Sequence, residues 1–429
     1  MIPGLRHWLQ RRRNPERYAQ LVLLLKSQAL DRTALLAQQR RDFANLARYA
    51  AAHTAFYAER FGDLTTWDDR SESLPILSKE DVRNHLDELL ARDVDRSRVG
   101  IGHTGGSTGQ PLAFWYDDAK HELMRAGMMR GFMMSGWRPG QKILYLWGAR
   151  QDTDQGGVFG HRLADTIAGE RTVAAVEYSE ARLAEWSRLI RRWRPTLLYG
   201  YASALTELAR YVVDRHVTLP ASLIGVYSTA EMLRDEQRTL MKQAFGCQVF
   251  DQYGCREVPN IAWECRHAGM HVMADLVHLE SVNRDGEDRL LVTSLTNRLM
   301  PFIRYELGDS GRLLEGKCPC GSSFPLMELG VCRHNDLIRT PDGRRLHPAV
   351  LNRLLYGLTQ IRQYQWRQPA LDNMELNLVC PMRLDRDGVA RLEADLRREV
   401  DAAMTLTVNY VEEIPCTVSG KHRFVIGLG

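Results

Sequence analysis

The first quarter of the chain has the spacing of amphipathic helices. The segments "RYAQLVLLLKSQAL" and "RTALLAQQRRDFANLARYAAAH" repeat apolar residues three and four positions apart, which is the period of a helix with one buried face. A further helix is predicted in "LPILSKEDVRNHL", with Ser78 as its capping residue and Glu80 and Asp81 in its first turn. We therefore predict that residues 1–98 are mostly helical.

From residue 142 onward, short apolar runs alternate with helical patterns. The runs "KILYLWG", "TVAAVEY", "TLLYGY", "LIGVYST" and "CQVFDQYG" have the length of strands, and "ARLAEWSRLIRRWRP" and "RDEQRTLMKQAF" between them have helical spacing. Alternation of this kind predicts crossover units around a largely parallel sheet. After about residue 270 the pattern changes to shorter strands and turns, of which "DRLLVTSLT" is the clearest strand.

Beyond Asp336 the elements become smaller. We predict a helix over 348–357, strands at "IRQYQWRQ", "MELNLVC" and "LTVNYVEEI", and a helix with Val389, Leu392 and Leu396 on one face. A unit of roughly ninety residues is typical of a small domain, and 429 residues are too many for one ordinary core. The predicted fold class is therefore α/β, with a large domain over 1–337 and a small α+β domain over 338–429.

Composition and charge exclude several classes of protein. The chain is 44% hydrophobic and 26% charged, and no apolar run approaches the roughly 20 residues of a membrane-spanning helix, so we predict no stable membrane insertion. A net charge of +4 without a basic stripe argues against a nucleic-acid partner.

The start, "MIPGLRHWLQRRRNPERY", lacks the pattern of a secretion signal, so we predict a cytoplasmic protein. Arg11–Arg13 beside Leu5, Trp8 and Leu9 could lie on an anionic membrane surface, but a solvated cap on the first helix is the preferred interpretation.

A glycine-rich stretch, "HTGGSTGQP", is the first candidate for chemistry. Its glycines allow the backbone close to a ligand, and its hydroxyls supply hydrogen bonds beside exposed N–H groups, which suits an oligophosphate. The residues concerned are Thr104, Gly105, Gly106, Ser107, Thr108 and Gly109. The Gly-Lys-Ser/Thr ending of a Walker loop is absent. Composition alone leaves a plain turn and a phosphate loop equally open.

Later motifs decide between these two interpretations. They lie at predicted strand ends or in loops, where α/β sheets bind ligands: "STAEML" (228–233), "DQYGCRE" (251–257), "PFIRYELGDSGRL" (301–313), "CRHNDLIR" (332–339) and "SGKHR" (419–423). In this order they resemble the adenylate-forming superfamily of acyl-CoA synthetases and nonribosomal adenylation domains. The resemblance is strongest to the phenylacetate-CoA ligase branch, which includes capsule-biosynthesis relatives, and it covers nearly the whole chain.

The resemblance implies a large multi-layer adenylate-forming domain followed by a small mobile lid. The implied activity is ATP-dependent conversion of a carboxylic acid, expected to be aromatic, into an acyl-adenylate, followed by transfer to CoA. ATP, Mg²⁺ and CoA are the implied cofactors. Two other readings stay open: transfer to an amine, a hydroxyl or a carrier-protein thiol, and a non-catalytic nucleotide-binding module. A homodimer is left open as well.

Family positions imply a nucleotide site. The hydroxyl loop would wrap the β- and γ-phosphates, Tyr253 would stack on adenine, and Glu257 would hold Mg²⁺, a hard cation that prefers carboxylate oxygens. Asp309 matches the aspartate that takes the ribose hydroxyls, since a carboxylate accepts two hydrogen bonds. The adenine edge would be lined by Thr229, Ala230 and Glu231, where threonine replaces the usual glycine. Asp251 and Gln252 are further candidates for cofactor binding.

The resemblance also implies a mobile catalytic lid. Arg333 would contact ribose or phosphate, Asp336 would be the hinge, and Lys421 would reach the acyl phosphate. Two departures from the family pattern affect these expectations. Cys332 replaces a glycine beside the hinge, and Leu112 stands where many relatives place a lysine after the loop proline. The loop is therefore expected to hold phosphate mainly through backbone and hydroxyl groups.

An acid pocket is implied near "YLWGAR" and "GYASAL". The predicted lining is Trp147, Tyr199, Gly200, Tyr201, Ala202 and Gly254. Its aromatic and apolar side chains suit an aryl acid. Ordinary core packing explains them equally well.

A second constellation is independent of ATP. "ECRHAGMH" places Cys265 near His267 and His271, and "KCPCGS" adds Cys318 and Cys320. One imidazole and three thiolates would complete a closed tetrahedral Zn²⁺ site, with no position open for catalysis. Members of the phenylacetate-ligase branch with similar segments carry structural zinc, and "GMH" matches their Gly-x-His, so His271 is preferred and His267 is the alternative. Unrelated thiols and imidazoles are the other reading.

Overall fold

The computed structural model describes residues 2–428 except 104–111, 148–167, 176, 285–286, 331–336, 347, 356–357, 359, 362 and 415–423. It forms two compact units. The first comprises Met1–His103, Leu112–Gln141 and Phe250–Cys332, and the second comprises Lys142–Val249 and Arg333–Gly429. The domain boundary that the sequence places between residues 337 and 338 stays a prediction.

Helices dominate the early part of the first unit. They are α1 (Pro3–Arg13), α2 (Pro15–Gln28), α3 (Arg32–His53), α4 (Ala55–Phe61), α5 (Lys79–Asn84) and α6 (Asp118–Met133), with 3₁₀ turns at Ser71–Ser73 and Arg96–Arg98. Ser78 caps α5 as its sequence predicts. Its hydroxyl accepts from the Asp81 amide at 3.0 Å, and the Asp81 carboxylate accepts from the Ser78 amide at 2.8 Å. This reciprocal pair satisfies two backbone donors that the helix itself leaves open.

The strands of the first unit pair antiparallel. A hairpin joins β1 (Gly100–His103) to β2 (Ala113–Tyr116). The larger sheet contains β7 (Gln248–Tyr253), β8 (Ala262–Glu264), β9 (Met270–Val272), β10 (Val277–Arg284), β11 (Glu287–Ser294), β12 (Tyr305–Leu314) and β13 (Leu326–Leu329). Their spatial order is β10-β11-β12-β13-β9-β8-β7. The end of β7 and the first half of β12 carry candidate nucleotide residues. The candidate metal ligands lie in the β8–β9 turn, on β9 and in the β12–β13 loop.

The second unit contains the parallel strands that the sequence predicts. They are β3 (Ile143–Trp147), β4 (Glu170–Ala174), β5 (Leu197–Tyr201) and β6 (Gly225–Thr229), in the order β6-β5-β3-β4. The helices around them are α7 (Glu180–Trp193), α8 (Ala202–Asp214) and α9 (Asp235–Phe245). Leu144, Leu146 and Leu198 of the strands pack with Trp186 and Leu205 of the helices in one buried core. The inner strands β3 and β5 have no charged residues, as expected where both faces of a parallel sheet are covered. The edge strand β4 begins with Glu170 and Arg171 and is only partly buried.

The C-terminal part of the second unit has a sheet and core of its own. Its elements are β14 (Ile338–Arg339), β15 (Arg345–Leu346), α10 (Ala349–Leu354), β16 (Gln363–Ala370), β17 (Asn373–Val379), α11 (Arg386–Glu399), β18 (Thr405–Tyr410) and β19 (Val425–Ile426). The sheet order is β18-β17-β16-β19. Trp366, Leu376 and Leu396 are completely buried between this sheet and α11, and α10 lies within the predicted helix 348–357. The mixed α/β class predicted from the sequence is confirmed.

Candidate active site and metal centre

The end of β7 meets β12 through a hydrogen bond between two predicted nucleotide residues. Tyr253 is the last residue of β7, and its phenol donates to Asp309 Oδ2 at 3.0 Å. Both side chains are only partly buried. An aromatic ring and a carboxylate in contact, each still reachable by a ligand, suit a ring stacked on a base and an acceptor for hydroxyls.

Glu257 follows β7 in the next turn and is only 4% exposed. Its Oε1 atom accepts from the Tyr305 phenol at 2.9 Å. The Cys255 thiol lies beside it, and burial raises the pKa of that thiol well above its usual range, with the Glu257 charge acting in the same direction. Glu257 therefore offers a carboxylate held by the Tyr305 phenol, and such oxygens are ligands that Mg²⁺ accepts.

Lys120 is a partly buried cation at this site. Its Nζ atom donates to the Glu257 carbonyl at 3.0 Å and lies 4.9 Å from the centroid of the Phe114 ring and 5.9 Å from that of Phe302. Burial lowers the pKa of Lys120 to about 8, and the opposite charge of Glu257 limits the decrease. An ammonium group in such surroundings costs folding free energy, because burial penalises the charged form.

Lys120→Met tests that cost. Since the folded pKa is about 8 against an ordinary 10.5, the variant should have a free energy of unfolding up to about 3 kcal/mol higher than wild type below pH 8. The difference should shrink between pH 8 and pH 10.5, because there only the unfolded wild type still binds the proton. Denaturant unfolding across this pH range measures it, with exposed Lys242→Met as the control. A variant less stable than wild type at neutral pH would contradict the assignment.

Sequence reasoning missed Lys120 and Tyr305. Tyr305 lies within the quoted motif "PFIRYELGDSGRL", four residues before Asp309, so its position was a usable signal. Lys120 lies in the first turn of α6, in "DDAKHEL", and reaches a carbonyl 137 residues further along the chain. No local pattern indicates that contact.

His103 is the last described residue before the glycine-rich loop. It ends β1, and its carbonyl accepts from Arg256 Nη1 at 2.9 Å. Arg256 directly precedes Glu257, so this hydrogen bond connects the end of β1 to the turn that carries Glu257. The remaining predicted residues lie outside the described part of the chain, and their roles stay predictions: Thr104, Gly105, Gly106, Ser107, Thr108, Gly109, Cys332, Arg333, Asp336 and Lys421.

The predicted acid-pocket aromatics come together at the ends of β3 and β5. The Trp147 ring stacks on Tyr199 with centroids 5.7 Å apart, and it lies 4.8 Å from the Tyr201 ring. Gly200 lies between the two tyrosines, and a Cβ atom there would be 2.6 Å from the Leu146 carbonyl oxygen. Glycine is therefore needed for the close approach of the two strands. Carboxyl ends of parallel strands are where such sheets bind ligands.

The segment 229–231 has a structural role in addition to its predicted one. Thr229 ends β6, Ala230 has a positive φ of 65°, and the Glu231 carboxylate accepts from the Ser203 amide at 2.7 Å. Ser203 lies in the first turn of α8, which begins at Ala202, so Glu231 satisfies an open helix donor and complements the helix dipole.

The neighbours of Tyr253 on β7 are held by local hydrogen bonds. The Asp251 amide donates to Glu264 Oε2 at 2.7 Å, and the Gln252 side chain donates to the Tyr253 carbonyl at 2.9 Å. A Cβ atom at Gly254 would lie 3.0 Å from that same Gln252 side chain. These contacts fix the strand end from which Tyr253 projects.

Three thiols and one imidazole converge where the β8–β9 turn, β9 and the β12–β13 loop meet. Cys265 Sγ lies 3.6 Å from Cys318 Sγ, and Cys320 Sγ lies 3.2 Å from His271 Nε2. All four ligand atoms lie within 4.8 Å of one another. For bonds of about 2.0–2.3 Å, tetrahedral ligand atoms are separated by roughly 3.5–3.8 Å. The group matches the predicted set, and His267 is not part of it.

Two turns present these ligands. In the β8–β9 turn, the Cys265 amide donates to the Gly269 carbonyl at 3.0 Å, and the Ala268 amide donates back to the Cys265 carbonyl at 2.9 Å. In the β12–β13 loop, Gly321 has a φ of 80° and its amide donates to the Cys318 carbonyl at 3.1 Å. Tight turns of this kind place consecutive side chains on one side of the backbone.

The imidazole of His271 is oriented for metal binding. It is fully buried, and its Nδ1 atom lies 3.3 Å from the Phe324 carbonyl oxygen. A carbonyl only accepts, so Nδ1 carries the hydrogen, and Nε2 presents its lone pair toward Cys320. Burial lowers the pKa of His271, which favours this neutral form. A second partner that fixes the tautomer is the usual arrangement around metal-bound histidines.

Gly269→Ala should weaken this centre. The added Cβ would lie 2.8 Å from Cys318 Sγ and 3.3 Å from His271 Nε2, so both groups must shift. We expect the affinity for Zn²⁺ to decrease by about 10- to 100-fold, as when a supporting contact of a metal ligand is lost. Competition with a chromophoric chelator measures it. Gly4→Ala, which meets no atom within 4 Å, is the control, and an unchanged affinity would contradict the geometry.

Comparison with known proteins gives one family model and several relatives. Residues 338–427 match the model of the CapK C-terminal domain. Protein CapK of Staphylococcus aureus is 23% identical over 361 residues, covering 82% of this chain and 79% of the relative. A phenylacetate-coenzyme A ligase of Thermus thermophilus is 25% identical over 380 residues, covering 82% of each chain.

Solved structures show the same fold. An open conformation of 2-hydroxyisobutyryl-CoA ligase in complex with 2-HIB-AMP and CoA superposes with a TM-score of 0.58 at 15% identity, covering 93% of both chains. The same ligase in its thioesterification state gives a TM-score of 0.61 at 16% identity, covering 91% of this chain and 88% of the other. The resemblance inferred from the ordered motifs is confirmed: the chain has homologues named CapK and phenylacetate-CoA ligase and the fold of the adenylate-forming CoA ligases.

Proposed function

We propose that the chain, a homologue of CapK and the phenylacetate-CoA ligases with an adenylate-forming fold, is an AMP-forming acid–thiol ligase. It activates a carboxylic acid with ATP and transfers the acyl group to CoA. The observation that carries the proposal is the cluster of side chains formed where the end of β7 and the turn after it meet the first half of β12, namely Tyr253, Glu257, Tyr305 and Asp309. It provides a ring for the base, a carboxylate for the ribose and a carboxylate for Mg²⁺ within one unit.

The reaction consists of two displacements. A carboxylate oxygen of the acid attacks the α-phosphorus of ATP, the bond from that phosphorus to the bridging oxygen breaks, and pyrophosphate leaves. The CoA thiolate then attacks the acyl carbon, and AMP leaves with the electrons of the acyl–oxygen bond. The thiol proton passes to solvent. Neither step needs a covalent bond to the protein, so catalysis depends on positioning and on cations placed where negative charge develops.

Family positions supply the candidates for those charges. Lys421 would meet the developing charge at the acyl phosphate, and Arg333 the ribose or another phosphate. Glu257 would hold Mg²⁺, and its buried carboxylate fits a hard cation. Bound Mg²⁺ would neutralise charge on the phosphates. Thr104–Gly109 would hold those phosphates through backbone and hydroxyl groups.

The cysteine–histidine group fits structural zinc. Three sulfurs and one nitrogen form a donor set that Zn²⁺ prefers, and four protein ligands leave no position for substrate. The centre would join the β8–β9 turn to the β12–β13 loop. Because β12 also carries Tyr305 and Asp309, zinc would support the nucleotide cluster from a distance and take no part in the reaction.

The acid is proposed to be aromatic. Trp147, Tyr199 and Tyr201 form a continuous group of rings at strand ends, and stacked or edge-on contacts with an aryl acid suit such a surface. The name of the Thermus thermophilus relative favours the same class of acid. A cytoplasmic location and a homodimer stay predictions from the sequence.

Product analysis tests the proposal. The purified protein is incubated with ATP and Mg²⁺ and with phenylacetate, benzoate or short aliphatic acids, with and without CoA, and AMP and acyl-CoA are measured by mass spectrometry. We expect acid-dependent AMP and acyl-CoA, highest with an aryl acid. If acyl products form only with an amine, a hydroxyl or a carrier-protein thiol, that compound and not CoA is the acceptor of the acyl group. ATP binding without acid-dependent AMP would contradict it.

A further inference from the structure

Large apolar side chains are exposed mainly at the start of the chain. Of the nine large apolar residues with exposed side chains in the described part of the structure, five lie within the first 23 residues: Ile2, Leu5, Trp8, Val22 and Leu23. Ile2 is 71% exposed and Trp8 is 49% exposed. Single exposed apolar residues are common, but a group of them marks a surface that contacts something else.

Helix α1 packs on the first unit through its opposite side. Arg6 is 3% exposed and donates to the Gly140 carbonyl at 2.5 Å, while Gln10 accepts from the Tyr18 phenol at 3.0 Å. At 100° per residue, the midpoint of Leu5 and Trp8 lies roughly 150° around the helix from the midpoint of Arg6 and Gln10. Leu5 and Trp8 are exposed to solvent on that side.

The charge around this apolar face has one sign. Residues 1–15 contain four arginines and one histidine and no aspartate or glutamate. Arg11, Arg12 and Arg13 are all exposed in the last turn of α1, and the Arg12 guanidinium lies 4.1 Å from the centroid of the Trp8 ring. An exposed Trp–Leu face bordered by arginines complements a surface that is apolar inside and anionic outside.

We propose that α1 docks on the surface of a bilayer that contains anionic phospholipid. Ile2, Leu5 and Trp8 enter the boundary between headgroups and acyl chains, and Arg11–Arg13 contact lipid phosphates. Eleven helical residues span roughly 16 Å, about half of a hydrocarbon core, so the helix lies in the interface. No helix in the described ranges has the length and hydropathy needed to cross a membrane. The proposed surface includes none of the residues of the catalytic cluster, so the proposal is independent of the reaction.

Co-sedimentation of the full chain with vesicles tests this inference. Vesicles of phosphatidylcholine alone are compared with vesicles that also contain phosphatidylglycerol, at low and high salt. Wild type should partition onto the anionic vesicles only, and less at high salt. Arg11→Gln/Arg12→Gln/Arg13→Gln should lower the partition coefficient on the order of 100-fold, at about fivefold per arginine. Leu5→Ser/Trp8→Ser should lower it on the order of tenfold or more.

Matched controls separate docking from misfolding and from other occupants. Leu371→Ser/Met382→Ser removes two apolar residues exposed elsewhere and should leave partition unchanged. All variants should unfold at the wild-type temperature. Equal partition of the α1 variants and wild type would overturn the proposal, and so would absence of binding to anionic vesicles. If light scattering shows a dimer that Leu5→Ser/Trp8→Ser dissociates, the face binds a second copy of the chain and the proposal is overturned. If wild type binds single-stranded DNA as strongly as anionic vesicles and with the same salt dependence, the contact is with polyanions in general, which also overturns the proposal.

Discussion

Lys421→Ala is expected to lower acid-dependent ATP–pyrophosphate exchange on the order of 100- to 1000-fold, the usual cost of removing one group that stabilises charge in a transition state. The proposed role of Lys421 would place its ammonium at the acyl phosphate, where negative charge grows as pyrophosphate leaves. The second step, transfer from a preformed acyl-adenylate to CoA, should be affected far less. Exchange and single-turnover thioester formation, measured side by side, separate the two steps.

The control for this prediction is another lysine to alanine change. Lys242 is exposed on α9, so Lys242→Ala should retain wild-type exchange, and both variants should unfold at the wild-type temperature. Lys421→Ala with near-normal exchange would remove Lys421 from the adenylating step. Equal losses in both steps would indicate that it positions the lid generally.

Cys318→Ser is expected to remove the metal and destabilise the first unit. Metal binding to a site that is absent from the unfolded chain adds directly to folding free energy, with about 10–16 kcal/mol of apparent affinity in small zinc domains. Only part of that is lost when three ligands remain. We expect a decrease in unfolding temperature on the order of 10 °C, since about 1 kcal/mol corresponds to roughly 2–4 °C in domains of this size.

Elemental analysis and thermal unfolding of the same samples check the metal prediction. Wild type should retain about one zinc per chain after a wash with a weak chelator, and Cys318→Ser should retain none. Cys380 is partly buried outside the ligand group, so Cys380→Ser should keep both the zinc and the unfolding temperature. Zinc-free wild type with an unchanged unfolding temperature after stronger chelation would contradict a stabilising metal.

The sequence predicted the helices and strands that have a clear local pattern of hydrophobic and polar residues. Buried parallel strands read as continuous apolar runs between amphipathic helices, so β3, β5 and β6 were identified from local spacing. The cysteine–histidine group was identified because soft ligands are rare and occur here in two short segments. The choice of His271 over His267 rested on resemblance, and the structure adds the reason: His271 lies on β9 with its ring held by the Phe324 carbonyl, whereas His267 lies in the turn.

Contacts between distant segments were not predictable in this way. Lys120 and Glu257 meet because α6 and the turn after β7 pack together. Neither local sequence indicates which distant segment it contacts. The buried pair of Arg130 and Asp275, 145 residues apart, is a similar case: its guanidinium donates at 2.8 Å to a carboxylate in the turn after β9. Removing one partner of such a pair costs about 3–5 kcal/mol, yet nothing in either local sequence marks it. The same limit explains why Glu231 was assigned to adenine while its contact with α8 was missed.

The measurement that tests the central claim most directly is acid-dependent exchange of labelled pyrophosphate into ATP by the purified wild-type chain. It reports the first displacement alone and needs no knowledge of the final acceptor. The account predicts exchange that requires Mg²⁺ and an added carboxylic acid, is greatest with an aryl acid, and proceeds without CoA. Absence of exchange with every acid of the panel, in protein that binds ATP, would contradict it.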